Sequence, residues 1–235
     1  MKEHLFDSFN SLNTALAEAI EKDLSTQLKT SANVSIAVSG GKTPIALYER
    51  LSMADLAWQN VTITLTDERW LPNHHPDSNE RMVKQYLINN KAAAARFIPL
   101  KTPSNTAEDG QESLDKTLGN KLPSVDFVVL GMGADGHFAS LFPHTIALEQ
   151  GLDAQSSLKC IAACAPVEPK ERISLTLSML LTAKKIYLLI SGDDKLAVYR
   201  RASQLDSDDR LSLPISAVLT QSDVPVELYW SPASR

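Results

Sequence analysis

Asp135 and His137 stand two residues apart in GMGADGHFASLFP, residues 131–143, directly after the apolar run VDFVVL. A carboxylate beside an imidazole can fix its tautomer and stabilise its protonated form. Imidazole is the natural general base at neutral pH. Gly131 and Gly133 allow the tight backbone that such a loop needs. A satisfied loop histidine is the plainer alternative, and the glycine spacing favours a catalytic one. The sequence contains neither a GxSxG elbow nor HExxH. The pair therefore suggests base-assisted attack by water rather than an acyl-enzyme or a metal route.

Three further segments could hold an anion. SGGKTP, residues 39–44, sets Gly40 and Gly41 between a strand and a helix whose first turn can accept Pro44. It reads as a tight turn or as a phosphate cradle, and the Ser39 and Thr43 hydroxyls favour the cradle. It is not a P-loop, because GxxxxGK[ST] is absent. TDERW, residues 66–70, ends a strand with Asp67, Glu68 and Arg69, either a surface salt-bridge cluster or part of a site. In SGDDK, residues 191–195, Asp193 and Asp194 suit the positive end of a helix dipole. Lys195 does not, and is more easily understood beside a bound anion. Arg172 precedes an apolar segment and, by itself, reads as a surface residue. His74 and His75 read as solvated, and Cys160 and Cys164 as small core residues on one face of a strand.

The elements around these segments follow from periodicity. Phe9, Leu12, Leu16, Ile20, Leu24 and Leu28 recur at helical spacing and predict an opening helix. Strands are expected at 34–38, 61–66, 97–100, 125–130 and 186–191, and at 224–230, which should close the sheet. Asp77 or Ser78 signals a helix start. Near-continuous apolar strands alternating with helices indicate an α/β fold, a mostly parallel sheet with helices on both faces. One domain over 1–235 is the economical expectation, with 68–80 and 143–158 as polar excursions. In such sheets ligands bind at the carboxyl ends of the strands, where these segments would converge.

Bulk properties narrow the partners. The chain has 235 residues, 43% of them hydrophobic, and a formal net charge of −5. That balance argues against nucleic acid, which demands concentrated Lys and Arg. No apolar run is long enough to span a bilayer, and the N-terminus lacks the pattern of a signal peptide, so a cytoplasmic protein is expected. No cofactor or metal motif is visible. A monomer and a homodimer are both compatible with the sequence.

The order and spacing of SGGKTP, TDERWLP, HPDSNERM, LGMGADGHFASLFP, RISLT, SGDDK and LPISAVL resemble the 6-phosphogluconolactonase family. That family is grouped with glucosamine-6-phosphate deaminase on a modified Rossmann-like α/β fold. The resemblance implies hydrolysis of 6-phospho-D-glucono-1,5-lactone, a phosphorylated sugar lactone, without a cofactor. It implies that His137 is the general base, oriented by Asp135. It also implies that Gly40, Gly41, Lys42, Thr43, Asp67, Arg69, Arg172 and Lys195 face the substrate or its phosphate. One departure is Phe138, where the family usually has Thr, which removes a hydroxyl next in sequence to the base. The deaminase signature carries a glutamate after its DGH, whereas this chain has Ala139, Ser140, Leu141, Phe142 and Pro143. A non-catalytic sugar-phosphate sensor would need a DNA-binding module, and neither end carries a basic helix-turn-helix segment.

Overall fold

The computed structural model describes residues 1–204 and 210–233. The chain begins with β1 (Lys2–Leu5), α1 (Phe9–Leu28), β2 (Val34–Val38), α2 (Ile45–Ser52), β3 (Val61–Leu65) and β4 (Asp67–Arg69). It continues through α3 (Asn79–Tyr86), β5 (Arg96–Ile98), α4 (Ala107–Lys121), β6 (Phe127–Leu130), α5 (Leu148–Gly151) and β7 (Cys160–Cys164). The last part holds β8 (Glu171–Leu175), α6 (Leu177–Leu180), β9 (Lys185–Ser191), α7 (Asp193–Ala202), α8 (Ser216–Leu219) and β10 (Val226–Ser231).

Seven strands form one sheet in the order β1-β10-β9-β6-β2-β3-β5, and every neighbouring pair is parallel. Every residue of β2 and β6 is buried, as expected of strands covered on both faces. The apolar stripe of α1 buries Leu12, Leu16, Ile20 and Leu24. Each such side chain contributes about 1.5–3 kcal/mol. Ser8 caps this helix by accepting from the N–H of Ser11, and Ser78 caps α3 by accepting from Arg81. The expected α/β architecture is therefore present.

Three local readings are corrected. Strand β10 does not close the sheet, because β1 lies outside it, with Lys2 opposite Glu227 and Leu5 opposite Trp230. Residues 68–80 are not a plain excursion, since they contain most of β4 and the start of α3. Strand β4 belongs to a second, antiparallel sheet of order β4-β8-β7. The chain passes between the sheets at Thr66, whose N–H donates to Val38 and whose carbonyl accepts from Leu175. Finally, Cys160 is buried but Cys164 is exposed, because the strand runs out of cover at its end.

Candidate active site

SGGKTP follows β2, TDERW follows β3, GMGADGH follows β6 and SGDDK follows β9. These four strands are consecutive neighbours in the sheet, in the order β9-β6-β2-β3. From β2 the chain adds β3 and β5 on one side, then returns to place β6 on the other. Such a reversal leaves a crevice at the carboxyl ends of the strands. A cavity of about 330 Å³ lies there. Gly40, Gly41, Thr43, Asp67, Arg69, His137, Arg172 and Lys195 all line it.

Two expected site residues do not line this cavity. Asp135 stands behind His137 and touches the imidazole instead. Lys42 is exposed and lines an adjoining cleft with Ile45, Arg81 and Tyr86.

His137 is held on several sides. Its Nδ1 lies 2.5 Å from Asp135 Oδ1, and the same oxygen accepts from the His137 N–H at 3.1 Å. Because a carboxylate only accepts, Nδ1 carries the proton and Nε2 keeps a free lone pair. Phe142 packs on the imidazole at 4.3 Å between ring centroids. The turn closes through Gly133 N–H to the His137 carbonyl, 2.9 Å. A Cβ on Gly133 would sit 2.1 Å from His137 Nδ1, so only glycine leaves room for the ring. Phe138, next in sequence to the base, is fully buried in the core.

The opposite wall is cationic. Arg69 and Arg172 are direct cross-strand partners in the β4–β8 pair. Arg172 is 5% exposed, and the Nε atoms of both arginines are buried without a hydrogen-bond partner. Burial, with the neighbouring Arg69 guanidinium, lowers the Arg172 pKa, while Asp67, Glu68 and Asp77 pull it back. Among the described residues no carboxylate forms an ion pair with Arg69, Arg172 or Lys195. Three cations without an ion-pair partner beside a cavity have the chemistry to receive an anion. Among the described residues the N–H groups of Gly40, Gly41, Lys42 and Thr43 have no hydrogen-bond partner either, and they precede α2. Tyr48, fully buried, pins this turn by donating to the Ser39 carbonyl at 2.6 Å.

Asp67 lies between the two walls. Its Oδ2 accepts from Ser140 Oγ at 2.6 Å, and its carbonyl accepts from Asn79 Nδ2 at 2.9 Å. Asn79 in turn packs on Gly40, where a Cβ would lie 1.9 Å from its Oδ1.

Residues 7–230 match the model of glucosamine-6-phosphate isomerases/6-phosphogluconolactonase. The chain belongs to that family. It is 37% identical over 232 residues to the 6-phosphogluconolactonase of Pseudomonas putida, covering 99% of this chain and 93% of that one. It is 37% identical over 229 residues to that of Rhizobium meliloti, covering 97% and 98%. A crystal structure of a 6-phosphogluconolactonase from Shewanella baltica OS155 superposes with a TM-score of 0.93 at 40% identity, covering 98% and 97%. In this family member, the sequence reading missed Asn79, Ser140 and Phe142, which line the cavity. Asn79 and Ser140 look like an ordinary helix start and loop residue in the sequence. Only their hydrogen bonds to Asp67 mark them, and those span 12 and 73 residues.

Proposed function

We propose that this chain hydrolyses 6-phospho-D-glucono-1,5-lactone to 6-phospho-D-gluconate, the second step of the oxidative pentose phosphate pathway, with His137 as general base. The observation that carries the reading is the polarity of the cavity. An imidazole with a free Nε2 stands on one side; on the other stand the buried Arg172 and the half-buried Arg69, neither in an ion pair among the described residues and each with a buried, unpartnered Nε.

The phosphate is held by Arg69, Arg172 and Lys195, with the free N–H groups of the 40–43 turn as further donors. This fixes the lactone carbonyl within reach of His137. Nε2 takes a proton from water as the oxygen attacks that carbonyl. The imidazolium forms with its charge facing the Asp135 carboxylate. The tetrahedral intermediate then expels the ring oxygen, which takes the proton back from Nε2, opening the ring to the acid and restoring the base. General base catalysis of this kind is worth roughly 10² to 10⁴-fold, and orientation by the phosphate adds to it. The deaminase alternative lacks support, because the positions after DGH hold no carboxylate: Ser140 binds Asp67, Leu141 is core and Phe142 covers the imidazole.

Hydrolysis of freshly made lactone, measured against its spontaneous rate, tests the reading. Wild-type enzyme should accelerate it, and His137→Ala should lose most of kcat with little change in KM. Full turnover in the variant would remove His137 as base, and no acceleration by wild type would remove the activity.

A further inference from the structure

We infer that Glu68 is a positioning residue that sets the phosphate-facing wall, acting through Arg69 and Asn79 without touching substrate. The inference rests on the function proposed above. Along β4, side chains alternate, so Asp67 and Arg69 face the cavity while Glu68 faces away. Glu68 is 1% exposed and has no cationic partner within ion-pair distance among the described residues. A buried carboxylate survives only if its oxygens are fully hydrogen-bonded. Here they are. Oε1 accepts from the N–H groups of Arg69 at 2.7 Å and Asn79 at 2.8 Å. Oε2 accepts from Ser78 Oγ at 3.0 Å and the Glu80 N–H at 2.7 Å.

These bonds fasten the first turn of α3 to β4 and thereby fix three groups of the site. The Asp77 carbonyl, one residue before Ser78, accepts from Arg69 Nη1 at 2.7 Å and aims the guanidinium. Asn79 is set so that its Nδ2 reaches the Asp67 carbonyl. The same Asn79 side chain lies against Gly40 in the anion turn. All four groups facing Glu68 are donors, so a carboxylate satisfies them and an amide does not. Glutamine would turn an NH₂ against two donors.

The test compares kcat/KM for 6-phosphogluconolactone and for unphosphorylated gluconolactone in wild type, Glu68→Gln, Arg69→Ala and the double variant. Glu68→Gln should raise KM for the phosphorylated substrate by about 10-fold or more, and leave the plain lactone within about threefold. In the Arg69→Ala background it should cost less, because the part of its effect carried by Arg69 is already gone. A role confined to stability would lower the melting temperature and leave the substrate ratio intact, and that result overturns the inference. So does a full, independent cost in the Arg69→Ala background. If Glu68→Gln does not fold, Ser78→Ala removes one of the four donors. A fall of about threefold in the ratio then supports the role, and an unchanged ratio overturns it. Titration with inorganic phosphate reads the same wall without turnover and should show weaker binding in the variant. A wild type that binds phosphate but does not hydrolyse the lactone would defeat the proposed function and leave this role standing.

Discussion

Replacing Arg172 with methionine should weaken substrate binding while leaving the fold as stable as before, or more so. Arg172 is buried, faces Arg69 across the strand pair, and leaves its Nε without a partner. A desolvated cation beside a like charge is a standing cost in the empty site, and an apolar side chain of similar volume removes it. The loss appears only when an anion binds. A hydrogen bond to a charged group is worth about 1.5–3 kcal/mol, so KM for the phosphorylated lactone should rise roughly 10- to 150-fold. The plain lactone should be nearly unaffected. Thermal denaturation checks the other half. Phosphate at 100 times its dissociation constant stabilises by about 2.7 kcal/mol, which for a chain of this length is roughly 5–11 °C. Wild type should show that rise and Arg172→Met should show little of it. A variant that melts well below wild type in the absence of phosphate, or that keeps both KM and the phosphate shift, would refute the reasoning.

Two other predictions follow from packing and charge. Gly133→Ala would force a Cβ to within 2.1 Å of His137 Nδ1 and 2.5 Å of Asp135 Oδ1. Displacing a catalytic group by about 1 Å can cost ~10²-fold, so kcat should fall by about that factor with KM little changed, and activity within threefold of wild type would sink the idea. Far from the cavity, Glu227 lies 3.0 Å from His4 Nε2 and 3.4 Å from Lys185 Nζ. Burial works to raise its pKa, but His4, Lys185 and Lys2 hold it below the ordinary value of 4.5. A carboxylate depressed in the folded state stabilises above its unfolded pKa and loses that contribution as pH falls through the folded one. Glu227→Gln should therefore lower stability by roughly 1 kcal/mol at pH 7. The gap should close as pH drops below 4.5, with activity unchanged at pH 7. A gap independent of pH would show that the pair does not supply it.

The elements that stood out in the sequence are those whose burial imposes a period. Helix α1 spans Phe9–Leu28, the limits that its apolar positions mark. Strands β2, β3, β6 and β9 are short apolar runs, and the polar or glycine-bearing segments after them lie at adjacent strand ends. Strand β4 did not stand out, because three polar residues carry no recognisable alternation. Arg172 looked like a surface residue for a related reason: its burial comes from a strand pairing 103 positions away in the chain, Arg69 against Arg172.

By itself the sequence determined which residues could do chemistry, and roughly where the chain would turn to present them. Asp135 and His137 needed only local geometry, since a two-residue separation brings the carboxylate to the ring. The tertiary structure decided which charges lack partners. Arg69, Glu68 and Arg172 look alike as charged residues in a sequence. Folding buries Glu68 and Arg172 and half-buries Arg69, gives Glu68 four donors, and leaves the two arginines facing a cavity with no carboxylate in an ion pair with either among the described residues. Whether a charge is satisfied depends on what long-range pairing sets beside it, and that is a property of the packed chain.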